Sequence, residues 1–483
     1  MLIQHSVIYF FSRALPGLVN LIALAVYTHL LGPDEYGRYA LVIYGVGLAN
    51  TLLYWWLRLG LIRFAPRFAD NKEIFLATLL RGFFLVGGVS ILIAVASIVL
   101  IADPQLRAII AFSTLLLIVS AWFDLNLELI RSRLSPIYFG TLSLVRALLA
   151  LLVGGALAWV GFSVWGLLIG VFVSVLLPGL WETLKAWRNI NIRDVDYGFL
   201  RELFIYGLPL IGVFGMEYVV SSSDRFMLGW MIDTAATGTY SAAYDLTNQS
   251  LTLSMSIVYL AGYPLIVKTL ETEGEQAVRR LLTRYLGIFL AIGLPATIIV
   301  SFLSRGISGT LLGSQFHEDA FSLMPWVAVA TLFACLKTYY FDIAFQLSRR
   351  TSRQFLVIAF PALLNVLLNL WWIPRMGVMG AAYATFAAYL CAVGLSWQLG
   401  KREFVMPILS RDVIYASLSA AVMVVVAMVL LNEYDQAGIF NWTSMAVILF
   451  GVYAAMLFVL NVCELRTWLI VRARAFLGRG ERL

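Results

Sequence analysis

The sequence predicts an all-α polytopic membrane protein with about fourteen transmembrane helices. Three observations carry this: an excess of apolar residues, the recurrence of apolar stretches of spanning length, and the sidedness of the basic residues. Of 483 residues, 61% are hydrophobic and only 13% are charged, whereas a soluble domain carries about 25% charged residues. That much apolar surface exceeds what a soluble core hides, so lipid is the solvent for much of it.

A bilayer crossing takes roughly 20 mostly apolar residues at about 1.5 Å rise each. Stretches of that kind run over 6–31, 38–57, 76–102, 106–129, 137–160, 163–184 and 203–224 in the first part of the chain. They continue over 239–264, 280–302, 320–346, 354–374, 377–399, 411–431 and 442–464. The eighth is the weakest, because TYSAAYDLTNQSLTLSMSIVYLAGY carries several polar side chains. The opening MLIQHSVIYFFSRALPGLVN lacks a basic leader region and a small-residue cleavage site, and reads as a retained first span.

Charge tests the count. With the N-terminus cytoplasmic, the inner segments are 58–75, 130–136, 185–202, 265–279, 347–353, 400–411 and the tail from 465. Together with the helix-end residues Arg280 and Arg284, these hold 25 of the 34 Lys and Arg. The outer connections hold five, Arg38, Arg107, Arg225, Arg305 and Arg375, and the spans four, Arg13, Arg81, Arg146 and Lys337. Every inner loop is basic, which is the positive-inside asymmetry repeated along the chain. One missed span would invert it from there on. Both termini are therefore expected in the cytoplasm.

The loops are short, and the longest outer connection, about 303–319, is too small for an external domain. No Gly-rich phosphate loop, nucleophile elbow or metal-spaced His/Cys cluster is present. The three histidines (His5, His29, His317) and three cysteines (Cys335, Cys391, Cys463) are scattered, and the cysteines lie in apolar stretches. No enzyme activity, cofactor, metal or nucleic-acid partner is expected.

The halves echo each other. Leu15-Pro16 and Leu208-Pro209 lie in the inner halves of the first and seventh spans. Each span is followed by a connection ending in a Gly-x-Tyr motif, GRYA at 37–40 and GTYSA at 238–242. SVWGLLIG (163–170) resembles GVMGAAYA (377–384) in its glycine use. Proline inside a span removes a backbone bond and bends the helix, and matched bends point to a cavity between two repeats.

A charge inside a span costs a few kcal/mol or more unless paired, hydrated or snorkelling. Arg13, Arg81, Arg146 and Lys337 all fall in the cytoplasmic half, Arg146 some nine residues into its span, or roughly 13 Å. Such a cluster suits an anionic headgroup such as a diphosphate, which Arg clamps bidentately and Lys meets as a point charge. For Arg13 and Arg81 the competing reading is snorkelling, or pairing of Arg81 with Asp124. Arg146 and Lys337 lie too deep for snorkelling, which favours a cavity role. Glu128 follows Asp124 by one turn near the interface, and Asp342 is placed to neutralise an inner-loop Arg. Glu217 and Asp245 lie toward the outer side; with Asp124 they are the ion-coupling candidates, the alternative being an ion pair with Arg225. Tyr339, Tyr340 and Tyr218 neighbour these charges and are candidates for stacking on sugar rings.

Several stretches look familiar together. LGPDEYGRYAL (31–41) resembles the first outer loop of Wzx-type polysaccharide flippases, and SSSDRFMLGWMIDTAATGTYSAAYDL (221–246) their second-half motif, in which Asp-Arg-x-x-Leu-Gly precedes Gly-x-Tyr-Ser. LLNVLLNLWWIPRMGVMGAAYATFAAYL (363–390) resembles their Asn-rich span, Ile-Pro loop and Gly-Ala-Ala-x-Ala-Thr helix. The likeness extends over about 10–400. That family belongs to the multidrug/oligosaccharidyl-lipid/polysaccharide exporter superfamily. The resemblance implies two six-helix bundles around a central cavity: 1–184, a cytoplasmic linker at 185–202, and 203–400. Two additional helices and a basic tail follow over 401–483. It further implies a flippase in the cell inner (cytoplasmic) membrane that moves polyprenyl-diphosphate-linked oligosaccharide repeat units by alternating access for surface polysaccharide biosynthesis. Its partners are then the lipid-linked oligosaccharide, membrane lipid and other polysaccharide-assembly proteins. By depth and charge type it places Arg146, Lys337, Arg81 and Arg13 against the diphosphate, and Pro16 and Pro209 at helix kinks. A multidrug or cation antiporter of the same superfamily is the alternative; it would favour acidic and aromatic cavity residues over four inner basic ones. A membrane glycosyltransferase or polymerase is the third reading, with Asp34-Glu35 as a nominal acidic pair in a loop too short for a catalytic segment.

Overall fold

The structure, a computed structural model, describes residues 2–467 apart from 69, 134, 189, 192–193, 349–351 and 435–438. The described residues form helices and connections, with no strand among them. We number the helices α1 (Leu2–Leu30), α2 (Pro33–Phe64), α3 (Lys72–Leu100), α4 (Pro104–Ser132), α5 (Pro136–Leu149), α6 (Ser163–Ala186) and α7 (Tyr197–Met231). There follow α8 (Thr234–Glu273), α9 (Glu275–Phe302), α10 (His317–Leu336), α11 (Ser352–Met376), α12 (Val378–Gly400), α13 (Arg411–Tyr434) and α14 (Ile439–Val459).

Twelve helical segments among the described residues are long and apolar enough to cross a membrane. One of them, Pro136–Ala186, is 51 residues long, about 77 Å at the standard rise, and holds two crossings, α5 with its helical continuation to residue 160, and α6. The shorter apolar helix Ala14–Leu30 supplies one more. Twelve, plus the second crossing in that segment, plus Ala14–Leu30, makes fourteen. The segment reverses at Gly161, whose φ of 101° lies where a side chain would clash. The protein is thus an all-α multi-pass membrane protein.

Helix starts follow local chemistry. Pro33, Pro104 and Pro136 open α2, α4 and α5, where the missing N–H costs nothing. Asp103 accepts from the Gln105 N–H at 2.8 Å and Asp196 from the Phe199 N–H at 2.9 Å, capping α4 and α7. The eighth span, weak by hydropathy, is a 40-residue helix. Its Thr237, Thr239, Ser241 and Thr247 are buried, so they face protein instead of lipid. Elsewhere the apolar residues stay outside: Leu92, Val99 and Leu100 of α3 are 70%, 75% and 86% exposed, as a lipid-facing surface requires.

By packing, the chain divides into two compact units, Met1–Ala242 with Ile358–Ala381, and Ala243–Val357 with Ala382–Leu483. In the first, α2 packs on α7 and α4, and α1 on α5, around Leu57, Leu61, Leu79, Leu116 and Leu203. In the second, α9 packs on α13 and α10, and α13 on α14. The core near α9 and α10 holds Leu282, Phe289 and Ala328, and a smaller one holds Met423 and Leu449.

Within the first unit, the two Gly-x-Tyr motifs meet. A Cβ on Gly37 would lie 1.8 Å from the Thr234 carbonyl oxygen, and one on Gly238 1.9 Å from that of Pro33. Only glycine permits the N-termini of α2 and α8 to cross so closely. Asp34 there pairs with Arg38 at 2.9 Å and accepts from the Thr234 hydroxyl, while Glu35 accepts from Ser163. The acidic pair is occupied in tying helix ends together.

Candidate functional site

In the first unit, α2, α4 and α5 assemble a charged layer toward the end that carries the basic loops. Asp124 and Glu128 are one turn apart on α4 and share a face. Arg58 on α2 lies between them, 3.1 Å from Asp124 Oδ2 and 3.6 Å from Glu128 Oε1. Asn50, one face-length earlier on α2, donates to Asp124 Oδ2 at 2.9 Å. The Arg58 guanidinium also lies 4.3 Å from the Trp55 ring centroid, a cation–π contact. Arg131 reaches Glu128 at 3.5 Å. Side-chain exposures of 16% for Arg58, 20% for Asp124 and 13% for Glu128 mark a sheltered group.

Charge balance then singles out Arg146. Two carboxylates meet two guanidiniums, Arg58 and Arg131, so the cluster is neutral without it. Arg146 is half-buried on α5, its guanidinium 5.8 Å from the ring of Phe123, the neighbour of Asp124. It has no carboxylate partner among the described residues. A half-buried arginine without a counter-ion, about 15 Å along its helix from Pro136, is suited to receive an anion.

The structure places the other expected cations differently. Arg81 on α3 is exposed, and the partner of Asp124 is Arg58. Arg13 is on α1, and its side chain lies outside the described residues. Lys337 belongs to the second unit, only 3% exposed, with its ammonium 2.7 Å from Asp342 Oδ2. Asp342 is 2% exposed and also accepts from Ser396 at 2.6 Å and Gln354 at 3.4 Å. Asp342 is thus matched by Lys337, with Ser396 and Gln354 completing its shell.

A π-helical turn makes that pair possible. Residues 337 and 342 are five apart, so a regular α-helix would point them about 140° apart. Lys337–Phe341 is π-helical, and the Asp342 N–H donates to the Lys337 carbonyl at 2.8 Å. This wider turn returns Asp342 to the lysine's face, a local irregularity common at functional sites. Beside it, Tyr259 stacks on Tyr339 with ring centroids 5.0 Å apart and on Tyr263 at 5.2 Å. All three rings are half-exposed. Tyr340 is buried, its hydroxyl bound to the Pro407 carbonyl, and Tyr218 donates to the Tyr44 carbonyl at 2.8 Å. Of the three tyrosines singled out by sequence, only Tyr339 joins a stacked, accessible aromatic face.

Glu217 and Asp245 are half-buried on α7 and α8, and both are engaged by other groups. Pro16 and Pro209 sit inside continuous helices, half-buried and exposed respectively. Two polar sites escaped the sequence reading. Glu182, at the end of α6, is 1% exposed and accepts from the Tyr138 hydroxyl at 2.6 Å, while Lys185 lies over the Tyr138 ring at 4.2 Å. Ser223, Asn365 and Asn369 form a buried relay in the first unit, with bonds of 2.9 and 3.1 Å to Asn365 Oδ1. The signal was visible as the repeated Asn in LLNVLLNL (363–370), each one turn from the next helical neighbour.

Comparison with known proteins places this geometry in context. A family described as polysaccharide biosynthesis protein matches residues 26–320. A relative from Haloferax volcanii, called probable flippase AglR, is 26% identical over 261 residues. That match covers 53% of this chain and 52% of the relative, so it spans about half the length of the curated protein. Among solved structures, the lipid II flippase MurJ in an inward closed conformation superposes with a TM-score of 0.75 at 15% identity, covering 95% of this chain and 99% of MurJ. An inward-facing multidrug resistance MATE family transporter of the MOP superfamily gives 0.63 at 13%, covering 82% and 97%. At these identities the likeness to MurJ and MATE is one of fold.

Proposed function

Since the chain belongs to the polysaccharide biosynthesis protein family, we propose that it is a flippase for polyprenyl-diphosphate-linked oligosaccharide repeat units. It moves them across the cytoplasmic membrane by alternating access, supplying surface polysaccharide assembly. In this reading the chain works as two six-helix bundles, 1–184 and 203–400, with 401–483 as an addition. The basic loops and both termini face the cytoplasm, in keeping with their share of Lys and Arg. No covalent chemistry is required: the headgroup is bound, reoriented and released.

The observation that carries the reading is Arg146. It is a sheltered cation beside the already neutral Arg58–Asp124–Glu128–Arg131 cluster, so an incoming diphosphate meets positive charge that no carboxylate among the described residues answers. Lys337 contributes to anion binding only by leaving Asp342. The stacked Tyr259, Tyr263 and Tyr339 offer apolar faces to sugar rings. Glu217, Asp245 and Asp124 remain the candidates for ion coupling.

Mass spectrometry of lipid extracts from cells lacking the protein tests this. Accumulation of a complete polyprenyl-diphosphate oligosaccharide, with loss of a surface polysaccharide, is expected. Incomplete units would overturn it in favour of an assembly enzyme. An unchanged lipid pool with new drug sensitivity would point to a multidrug antiporter.

A further inference from the structure

An amphipathic groove runs along the first unit, and Arg146 is not in its lining. Its apolar part, about 600 Å³, lies between α2, α3 and α7, walled by Leu52, Leu85, Val89, Phe204 and Leu208. These residues are 43–52% exposed, so the trough is open along its length. On α7 its lining extends from Tyr197 to Ile211, a rise of about 21 Å. That is about two-thirds of the hydrocarbon core, which is about 30 Å thick. At the basic-loop end it passes into a shallower, more polar hollow of about 540 Å³ that includes Phe64, Arg201 and Glu202. Arg201 lines both parts.

The junction keeps a net positive charge with Asp196 counted, whose carboxylate caps α7 by accepting from the Phe199 N–H at 2.9 Å. Glu202 is already answered by Arg67 at 2.9 Å. Arg201 is exposed and has no carboxylate partner among the described residues. Arg81, the exposed cation inside the third span, is outside the lining of both hollows but precedes Gly82, which lines the trough. A Cβ at Gly82 would lie 3.1 Å from Leu200, so α3 and α7 touch there, and Arg81 and Arg201 adjoin the two contacting residues. The contact is pinned one turn earlier, where the Asp196 N–H donates to the Thr78 hydroxyl at 3.1 Å. Arg81 also precedes Leu85 by four residues and so shares the groove's stripe on α3.

We propose that this groove is a binding site for the polyprenyl diphosphate part of the substrate. The isoprenoid chain lies along the apolar trough and the diphosphate is held between Arg81 and Arg201. The inference rests on the flippase reading and names where the lipid part docks. Two arginines near lipid are a costly arrangement. They match the charge on a diphosphate, whereas an ordinary phosphodiester lipid brings one negative charge for one cation to meet. The single trough also fits one long chain better than a paired-tail lipid. The groove is then where the lipid docks first, and the headgroup passes from it to the Arg146 layer on reorientation.

The test is native mass spectrometry of the purified full chain in detergent with two probes, glycan-free polyprenyl diphosphate and phosphatidylglycerol. The wild type is expected to retain the diphosphate lipid at least roughly tenfold better, the discrimination one additional charge-assisted contact provides. Arg81→Gln with Arg201→Gln should sharply lower the preference, leaving only the share held at Arg146. Leu85→Trp, which fills the trough at an exposed position, should lower retention with both arginines intact. Equal retention of the two lipids by the wild type, or unchanged retention in both variants, overturns the site. If those results accompany accumulated lipid-linked oligosaccharide in cells lacking the protein, the groove assignment falls and the flippase reading stands.

Discussion

Replacing Lys337 by methionine, a side chain of similar length, removes the ammonium and leaves Asp342 charged in a site where it is 2% exposed. Breaking a buried ion pair on one side costs about 3–5 kcal/mol, because the remaining charge is uncompensated. Here Asp342 keeps the Ser396 hydroxyl at 2.6 Å and Gln354 at 3.4 Å, which places the expected cost near the lower limit, about 3 kcal/mol. Asp342→Asn in the same background removes the orphaned charge while keeping hydrogen-bonding capacity. The double variant should therefore recover about 2 kcal/mol, giving a coupling energy within the range seen for contacting residues. Unfolding in mixed micelles titrated with sodium dodecyl sulfate, followed by tryptophan fluorescence, measures all four corners of the cycle. A loss below about 1 kcal/mol for Lys337→Met, or no recovery in the double variant, would refute the pairing argument. It would also return Lys337 to the pool of cations available for the headgroup.

Four further outcomes are expected. Arg146→Ala should lower transport by about 10–100-fold, as expected for losing one charge-assisted contact of about 1.5–3 kcal/mol, with normal yield of folded protein. Transport in membrane vesicles, set against detergent-solubilised yield, checks it. Gly238→Val should destabilise by at least 1–3 kcal/mol, the usual range for overpacking, because its Cβ would meet the Pro33 carbonyl; thermal aggregation in detergent reads this directly. Asp124→Asn should cost less, about 1–2 kcal/mol, because Arg58 keeps Glu128. Tyr259→Ala should impair movement of a lipid-linked oligosaccharide more than that of the same lipid without sugar, compared side by side in vesicles.

The fold was legible because lipid imposes a strong and simple rule. Apolar length identified the spans, and the basic loops fixed their number, so even the polar eighth span was placed correctly. Its buried threonines explain why hydropathy alone undervalued it. The Pro136–Ala186 segment shows the converse, since two sequence-defined spans share one helical run that breaks at Gly161 and Ser163.

The site was less legible because depth along a helix does not give direction around it. Arg81 and Arg146 are both expected in the cytoplasmic half against the diphosphate, yet one is exposed beside α7 and the other is sheltered against Phe123. Arg58 was assigned to a loop by the hydropathy boundary, although α2 continues to Phe64 and brings it to Asp124. Lys337 and Asp342 could not be paired from helical periodicity, since the π-helical turn changes the spacing that periodicity assumes. Glu182 lies two residues inside the end of its span, where the sequence gives no sign that its helix buries it under Tyr138.

The most direct test of the central claim is leaflet-resolved transport by the purified protein in liposomes carrying a polyprenyl-diphosphate oligosaccharide. A membrane-impermeant lectin or glycosidase reports how much of the glycan reaches the accessible leaflet with time. The account predicts protein-dependent movement that is slowed by Arg146→Ala and unaffected in protein-free vesicles. Glycan that stays where it was placed while the same vesicles exchange organic cations would contradict it.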